Sequence, residues 1–188
     1  MTHPLVQHAV YLAGDSYPSD APFERDVQKR FGPLALSWTG QGALIERSGE
    51  AQMVRSIDAR VAGLEHLLAD DVDRTSVVLF GRSSGARTAT RFASARPVRA
   101  VVCFAYPFRK PNKPAQPNRY RHLASLAAPT LIFQGVDDEY GGVSVAQDYA
   151  LSQAIALRFV KADHKMQLDA DGWSYVERET RAFLTGLA

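Results

Sequence analysis

The sequence predicts a single α/β domain, a mostly parallel sheet of about six strands with helices on both faces and no separate lid domain. Two observations predict this architecture and a third says where its chemistry lies. Short apolar or β-branched runs alternate with helix-compatible segments along the whole chain, and such alternation builds parallel sheets through crossover connections. The 188 residues are 46% hydrophobic and 22% charged, enough for one sizeable core. The three side chains best suited to reaction, Ser83, Asp138 and His164, each follow a predicted strand. In open parallel sheets, sites form beyond the carboxyl ends of the strands.

Taken in order, residues 5–12 (Leu-Val-Gln-His-Ala-Val-Tyr-Leu) read as a buried first strand that ends in the turn Ala13-Gly14-Asp15-Ser16. A Gly-led turn at a strand end can aim backbone N–H groups into a site. A helix is expected over residues 22–31, with Asp20 as a cap, Pro22 in the first turn, and Phe23, Val27 and Phe31 at i, i+4, i+8. Residues 33–38 form a short strand, and 39–49 read as a Gly-containing connection. A longer helix over residues 50–69 carries Met53, Ile57, Val61, Leu64 and Leu68 on one side.

The apolar run Val77-Val78-Leu79-Phe80 predicts the next strand, and Ala86, Ala89, Thr90 and Ala93 have helical spacing. Residues 99–105 are continuously apolar after Arg99, as in a strand covered on both faces. Residues 106–121, with four prolines and five basic residues, read as an irregular loop, either a small cap over the site or a surface excursion. A strand over 129–134, a helix over 143–153, a strand over 155–160 and a helix over 172–187 complete the chain. No internal repeat or low-complexity tract is visible.

Between the run 77–80 and the following helix lies Gly81-Arg82-Ser83-Ser84-Gly85, a G-x-S-x-G in strand–turn–helix context. A serine on so sharp a turn is strained, and side chains two residues before and after it would collide with the neighbouring strand and helix. Gly81 and Gly85 remove those side chains. Ser83 Oγ then projects above the strand ends at the positive end of a helix, where developing negative charge is favoured.

A serine hydroxyl needs a base, and the base needs a third group to fix its tautomer and stabilise imidazolium. Of five histidines, His164 alone occupies a loop after a late strand with a helix behind it; His3 and His8 are early, His66 lies on a predicted helix, and His122 sits by the basic loop. For the acid, Asp137 and Asp138 compete, and the spacing Gly135-x-x-Asp138 favours Asp138. Asp163 reads as a turn former.

The chain order Ser, Asp, His is that of the α/β-hydrolases. The sequence resembles the dienelactone-hydrolase-like members of that superfamily, and most of all the small testis-expressed α/β-hydrolase-like group. The matching pieces are residues 81–87 (Gly-Arg-Ser-Ser-Gly-Ala-Arg), Tyr106-Pro107-Phe108 running into a Pro/Lys-rich loop and Arg121-His122-Leu123, residues 129–138, and Ala162-Asp163-His164. The resemblance implies the backbone N–H groups of Ser84 and Asp15 as the two oxyanion donors. Family members often carry His-Gly-x-Gly after the first core strand, where this chain has Ala13-Gly14-Asp15-Ser16. That difference puts a carboxylate close to where an oxyanion would form.

The net charge of +2 hides an uneven distribution. Between Arg74 and Val136 there are eleven basic and no acidic residues; the rest of the chain has eleven basic against twenty acidic. The block predicts either an electropositive rim that attracts anions or a solvated face paired with acidic residues from elsewhere. No nucleic-acid-binding module is present, and no apolar run is long enough to span a bilayer. The first ten residues lack the basic and apolar regions of a secretory signal, so a cytoplasmic location is expected. Cys103, the lone cysteine, is expected in the core, which rules out a disulfide framework.

The expected function is a serine hydrolase that cleaves a small-molecule carboxylic ester or thioester through an acyl-enzyme, needing no metal or cofactor. Ser83, Asp138 and His164 are its expected catalytic residues. Arg82, Tyr106, Tyr140 and Met166 are the expected substrate contacts, and the positive charges of Arg82, Arg87, Arg109 and Lys110 would favour an anionic substrate. A monomer or homodimer with no nucleic-acid or membrane partner is expected. The alternative is a hydrolase-fold interaction module with a vestigial triad, whose loop 106–121 contacts an acidic partner.

Overall fold

The computed structural model describes residues 5–50, 52–68 and 73–187. His3 and the expected end of a helix at Ala69 lie outside them. Six strands form one sheet in the order β2-β1-β3-β4-β5-β6, and every neighbouring pair is parallel. They are β1 (Val6–Leu12), β2 (Ala35–Thr39), β3 (Val77–Arg82), β4 (Ala100–Phe104), β5 (Thr130–Gly135) and β6 (Ile155–Val160).

The apolar runs fill both sides of this sheet because alternate residues point to opposite faces. Val78, Phe80, Val102, Phe104 and Phe133 pack with α1 (Ala21–Phe31) and α6 (Ala170–Thr185) through Phe23, Val27, Trp173 and Val176. Val77, Leu79, Val101, Cys103 and Ile132 face the other way. They meet Leu64 of α3 (Ile57–Leu67) and Ala86, Ala89 and Phe92 of α4 (Ser84–Ala93). Burial pushes the Cys103 thiol pKa well up, so it stays a neutral core group.

Three elements differ from the sequence expectation. Residues 39–49 contain a helix, α2 (Gln41–Ser48), rather than a plain connection. The glycines that suggested a loop are its two ends: Gly40 is extended at the N-cap, and Gly49 takes φ 70° at the C-cap. Glu24 of α1 accepts from the Gln41 N–H at 2.8 Å, supplying a cap from another element.

Second, α3 begins at Ile57 and not near residue 50, because Ser56 is extended and its Oγ caps the Ala59 N–H. Its buried side chains are Arg60 and Leu64, so a cation occupies the core-facing stripe.

Third, the helix expected over 143–153 is only α5 (Val145–Asp148). Tyr149 turns extended to pack on Phe108 and Tyr120, with centroids at 4.9 and 4.6 Å, and the Ser152 N–H donates to Leu123 O. Tertiary contacts outweigh propensity there.

The loop from 106 to 121 is irregular, with a short 3-10 turn at Pro117–Arg119. Its opening is neither cap nor excursion: Tyr106 and Phe108 are fully buried in the core below α4. No separate lid domain is present among the described residues.

The strand register brings three strand ends to one edge of the sheet. Leu12 pairs with Gly81 and Gly81 with Cys103, so β1, β3 and β4 end level and their following turns meet.

Candidate active site

Ser83 joins β3 to α4 with φ 52° and ψ −120°, a backbone state costly for any residue with a Cβ. Its N–H extends the sheet ladder to Phe104 O at 3.0 Å, which fixes the turn at the strand end. A Cβ on Gly81 would sit 2.7 Å from the Ala86 backbone, and one on Gly85 would sit 1.9 Å from Leu12 O. The two glycines thus let the helix and β1 close on the elbow. On the β1 side the turn at Gly14 packs so near that a Cβ there would lie 3.2 Å from Ser83 Cβ.

His164 lies in the turn after β6, and its Nε2 is 2.9 Å from Ser83 Oγ. Its Nδ1 lies 2.9 Å from Asp138 Oδ2 and 3.0 Å from Oδ1. A carboxylate can only accept, so this contact puts the proton on Nδ1 and leaves Nε2 free to accept from the serine. Asp138 is 2% exposed and takes two further donors, Gln134 Nε2 at 2.7 Å and the Tyr140 N–H at 2.8 Å. Asp137 is exposed. Asp163 accepts from the Lys165 N–H at 2.7 Å and shapes the histidine turn.

The expected substrate contacts separate into distinct environments. The Tyr140 ring lies 4.2 Å from the His164 ring and tilted by 30° to it, bordering the reacting groups. Arg82 does not present its charge to solvent: its guanidinium forms a buried 2.7 Å ion pair with Asp20 and donates to the carbonyls of His164 and Lys165. Tyr106 is fully buried and donates its hydroxyl to Arg119 O, and burial raises its pKa. Met166, at φ 56°, is 1% exposed and packs in the core beneath the histidine turn. Arg82, Tyr106 and Met166 are therefore packed inside the domain and do not face solvent as the expected substrate contacts would: an ion pair, a hydroxyl–carbonyl bond and core packing hold them inward.

The residues implied as oxyanion donors are brought together. Ser84 is the first residue of α4, where helix N–H groups have no intrahelical partner, and its Oγ donates to Asp15 Oδ1 at 2.6 Å. Two side chains unmarked by any motif lie behind this turn. Gln41 Oε1 accepts from the Ala13 N–H at 2.9 Å, and Arg60 donates to Ala13 O at 2.6 Å and to Ser84 Oγ at 3.1 Å. The one available signal was a charged residue one turn before Leu64 on the apolar stripe of a helix.

Part of the basic block meets the second expectation made for it, pairing with acidic residues from elsewhere. Arg82, Arg91, Arg96 and Arg109 pair with Asp20, Asp58, Glu65 and Asp148, acidic residues from outside the block. Arg87 is half-buried, and its pKa is lowered by burial and then by the charge of Arg119. Burial, then Arg91 and Arg87, push the His122 pKa down to about 4. That imidazole is neutral near pH 7, with Nε2 2.9 Å from Thr90 Oγ1. Among the described residues no group of three or more His, Cys, Asp or Glu is placed to hold a metal ion. No helix among them is long and apolar enough to cross a membrane.

Two clefts flank the edge, one of about 340 Å³ between α2 and α3 and one of about 560 Å³ beside Asp20, Arg82 and Met166. Ser83 lines neither, and it lies partly exposed on the open rim.

Solved structures share this architecture. An α/β-superfamily protein from Xanthomonas campestris pv. campestris is 20% identical, with TM-score 0.63 and 98% of each chain covered. A YdeN-like protein from Pectobacterium atrosepticum is 24% identical, with TM-score 0.64 over 96% of this chain and 92% of that one. Esterase 2 of Thermogutta terrifontis, solved phosphorylated by paraoxon, is 15% identical with TM-score 0.63, covering 97% and 83%. At these identities the likeness is one of fold. No curated protein matches the sequence. The family model described as alpha/beta hydrolase domain matches residues 47–178, well over half the chain, from before α3 into α6. With that match, the chain belongs to the alpha/beta hydrolase family.

Proposed function

We propose that this protein is a serine hydrolase cleaving a small carboxylic ester or thioester through an acyl-enzyme. The observation that carries the reading is the row Ser83 Oγ, His164 Nε2, His164 Nδ1, Asp138, with contacts of 2.9 Å at both junctions. In this reading His164 takes the Ser83 proton as Oγ attacks the substrate carbonyl, and Asp138 stabilises the imidazolium so formed. The N–H groups of Ser84 and Asp15 bind the oxyanion of the tetrahedral intermediate. His164 then passes its proton to the leaving alcohol or thiol. A water, deprotonated by the same imidazole, attacks the acyl-enzyme and releases the acid.

The open rim around Ser83 suits a small or flexible ester, and esterase and lipase structures among the fold neighbours support this substrate class. The placement among dienelactone-hydrolase-like proteins is part of the same proposal and rests on the elbow and the Tyr106-Pro107-Phe108 segment. The interaction-module alternative draws little support from that segment, since its aromatic side chains are core.

The test is labelling with a fluorophosphonate probe, an organophosphorus reagent like the paraoxon that phosphorylated the Thermogutta esterase. Wild-type protein is expected to label, and Ser83→Ala and His164→Ala are expected to lose the label. A folded wild type that stays unlabelled and hydrolyses no ester or thioester would refute the reading.

A further inference from the structure

We propose that Arg60, together with Gln41, is a positioning residue for the oxyanion turn. It fixes the Ala13 peptide and neutralises Asp15, so that the amides of Asp15 and Ser84 face a substrate carbonyl held at Ser83. The proposal rests on the reading of Ser83 as a nucleophile.

Both polar groups of Ala13 are taken by side chains from distant elements. Gln41 of α2 holds its N–H at 2.9 Å, and Arg60 of α3 holds its carbonyl at 2.6 Å. The turn they hold includes Gly14, which abuts Ser83, and leads into Asp15. Arg60 also donates to Ser84 Oγ at 3.1 Å, and that hydroxyl donates to Asp15 Oδ1 at 2.6 Å. One guanidinium therefore ties both implied oxyanion donors into a single hydrogen-bonded loop, with one Nη of its rigid fork on each acceptor.

The charges follow the same arrangement. An Asp15 carboxylate beside a developing oxyanion would oppose the transition state. Arg60 Nη1 stands 3.9 Å from Oδ1 of the half-exposed Asp15 side chain, the one acidic side chain within ion-pair distance of it among the described residues. Arg60 is 8% exposed and Gln41 4%. Burial lowers the Arg60 pKa to about 10, which still leaves it charged at neutral pH. Packing by itself would favour an apolar residue one turn before Leu64, since burying a cation is costly unless its partners compensate. The cleft of about 340 Å³ lies on the far side of both residues, so they are the turn's backing there.

The test starts from wild-type protein and a p-nitrophenyl ester, with fluorophosphonate labelling of Ser83 as the second readout. A wild type inert to both overturns the nucleophile reading, and this proposal with it. With a reactive wild type, Arg60→Met is expected to lower kcat and the labelling rate by about 30- to 300-fold while KM moves less than about 3-fold. Adding Asp15→Asn to Arg60→Met is expected to recover about 5- to 10-fold, because the uncompensated carboxylate is removed. Millimolar guanidinium is expected to accelerate Arg60→Ala and leave wild type unchanged. Thermal melts are recorded for each variant. Should Arg60→Met not fold, Arg60→Lys keeps the charge but loses the rigid two-nitrogen fork, and it carries the same comparison. Unchanged kcat in a folded variant overturns the proposal. So does a loss that neither Asp15→Asn nor guanidinium relieves, since a merely structural role predicts that result.

Discussion

The two sides of Ser83 are built on different principles. On the proposed acid–base side, Asp138 is held by Gln134 and the Tyr140 N–H, four and two residues away, within one strand–turn unit. On the side of the proposed oxyanion donors, the turn after β1 is held by Gln41 and Arg60, 28 and 47 residues from Ala13, and by Ser84, 69 residues from Asp15. A local unit carries its geometry wherever its segment goes. A turn clamped from two other helices is correct only once those helices are docked, so its geometry reports on the whole domain.

The largest expected effect comes from striking the local side. Asp138→Asn should lower kcat by about 10³- to 10⁴-fold, because an amide in that place disturbs the tautomer and no longer stabilises imidazolium. Steady-state ester hydrolysis measures it, and a loss of less than tenfold would mean that this side is not the acid–base arm. The Arg60 series strikes the clamped side, and its smaller expected loss is the contrast to be measured.

The proposed acid–base side has distant ties as well, His164 to Asp138 across 26 residues among them, and the one through Arg82 sharpens the comparison. Arg82 binds Asp20, 62 residues away, and holds the carbonyls of His164 and Lys165. Arg82→Met leaves a buried carboxylate unpaired and should cost about 3–5 kcal/mol in urea unfolding. Arg82→Met combined with Asp20→Leu should cost less than the single change, since removing both charges removes the desolvation penalty. A single variant as stable as wild type would make the histidine turn self-supporting.

The smallest effect is a pH-dependence on the far face of α4. Unfolded His122 takes up a proton near its ordinary value of about 6.5, whereas the folded chain resists until about 4. The unfolded state thus binds more protons across that window, so stability present above pH 6.5 is lost as pH falls toward 4. His122→Gln should flatten the fall of Tm between those pH values by a few degrees and leave catalysis alone. An unchanged slope would place the acid sensitivity elsewhere.

The strands were legible because their runs are continuously apolar and their alternation implies one topology. Residues 155–160 were read as a strand and are β6, and residues 22–31 were read as the helix that is α1. The errors fell where local pattern and distant partner disagree. Gly40 and Gly49 look like loop glycines until Glu24 is seen capping the helix between them. Residues 149–153 suit a helix until Phe108 and Tyr120 claim Tyr149.

By itself the sequence determined the α/β architecture, the strand–turn–helix at Ser83, and the strand ends after which Asp138 and His164 follow. Each of these depends on sterics or periodicity within a few residues. Tertiary structure decided which way the supporting side chains point: Arg82 inward to Asp20, Tyr106 into the core, Arg60 and Gln41 beneath Ala13. A buried polar group must find a partner, and here those partners come from other elements that only the assembled fold brings within reach.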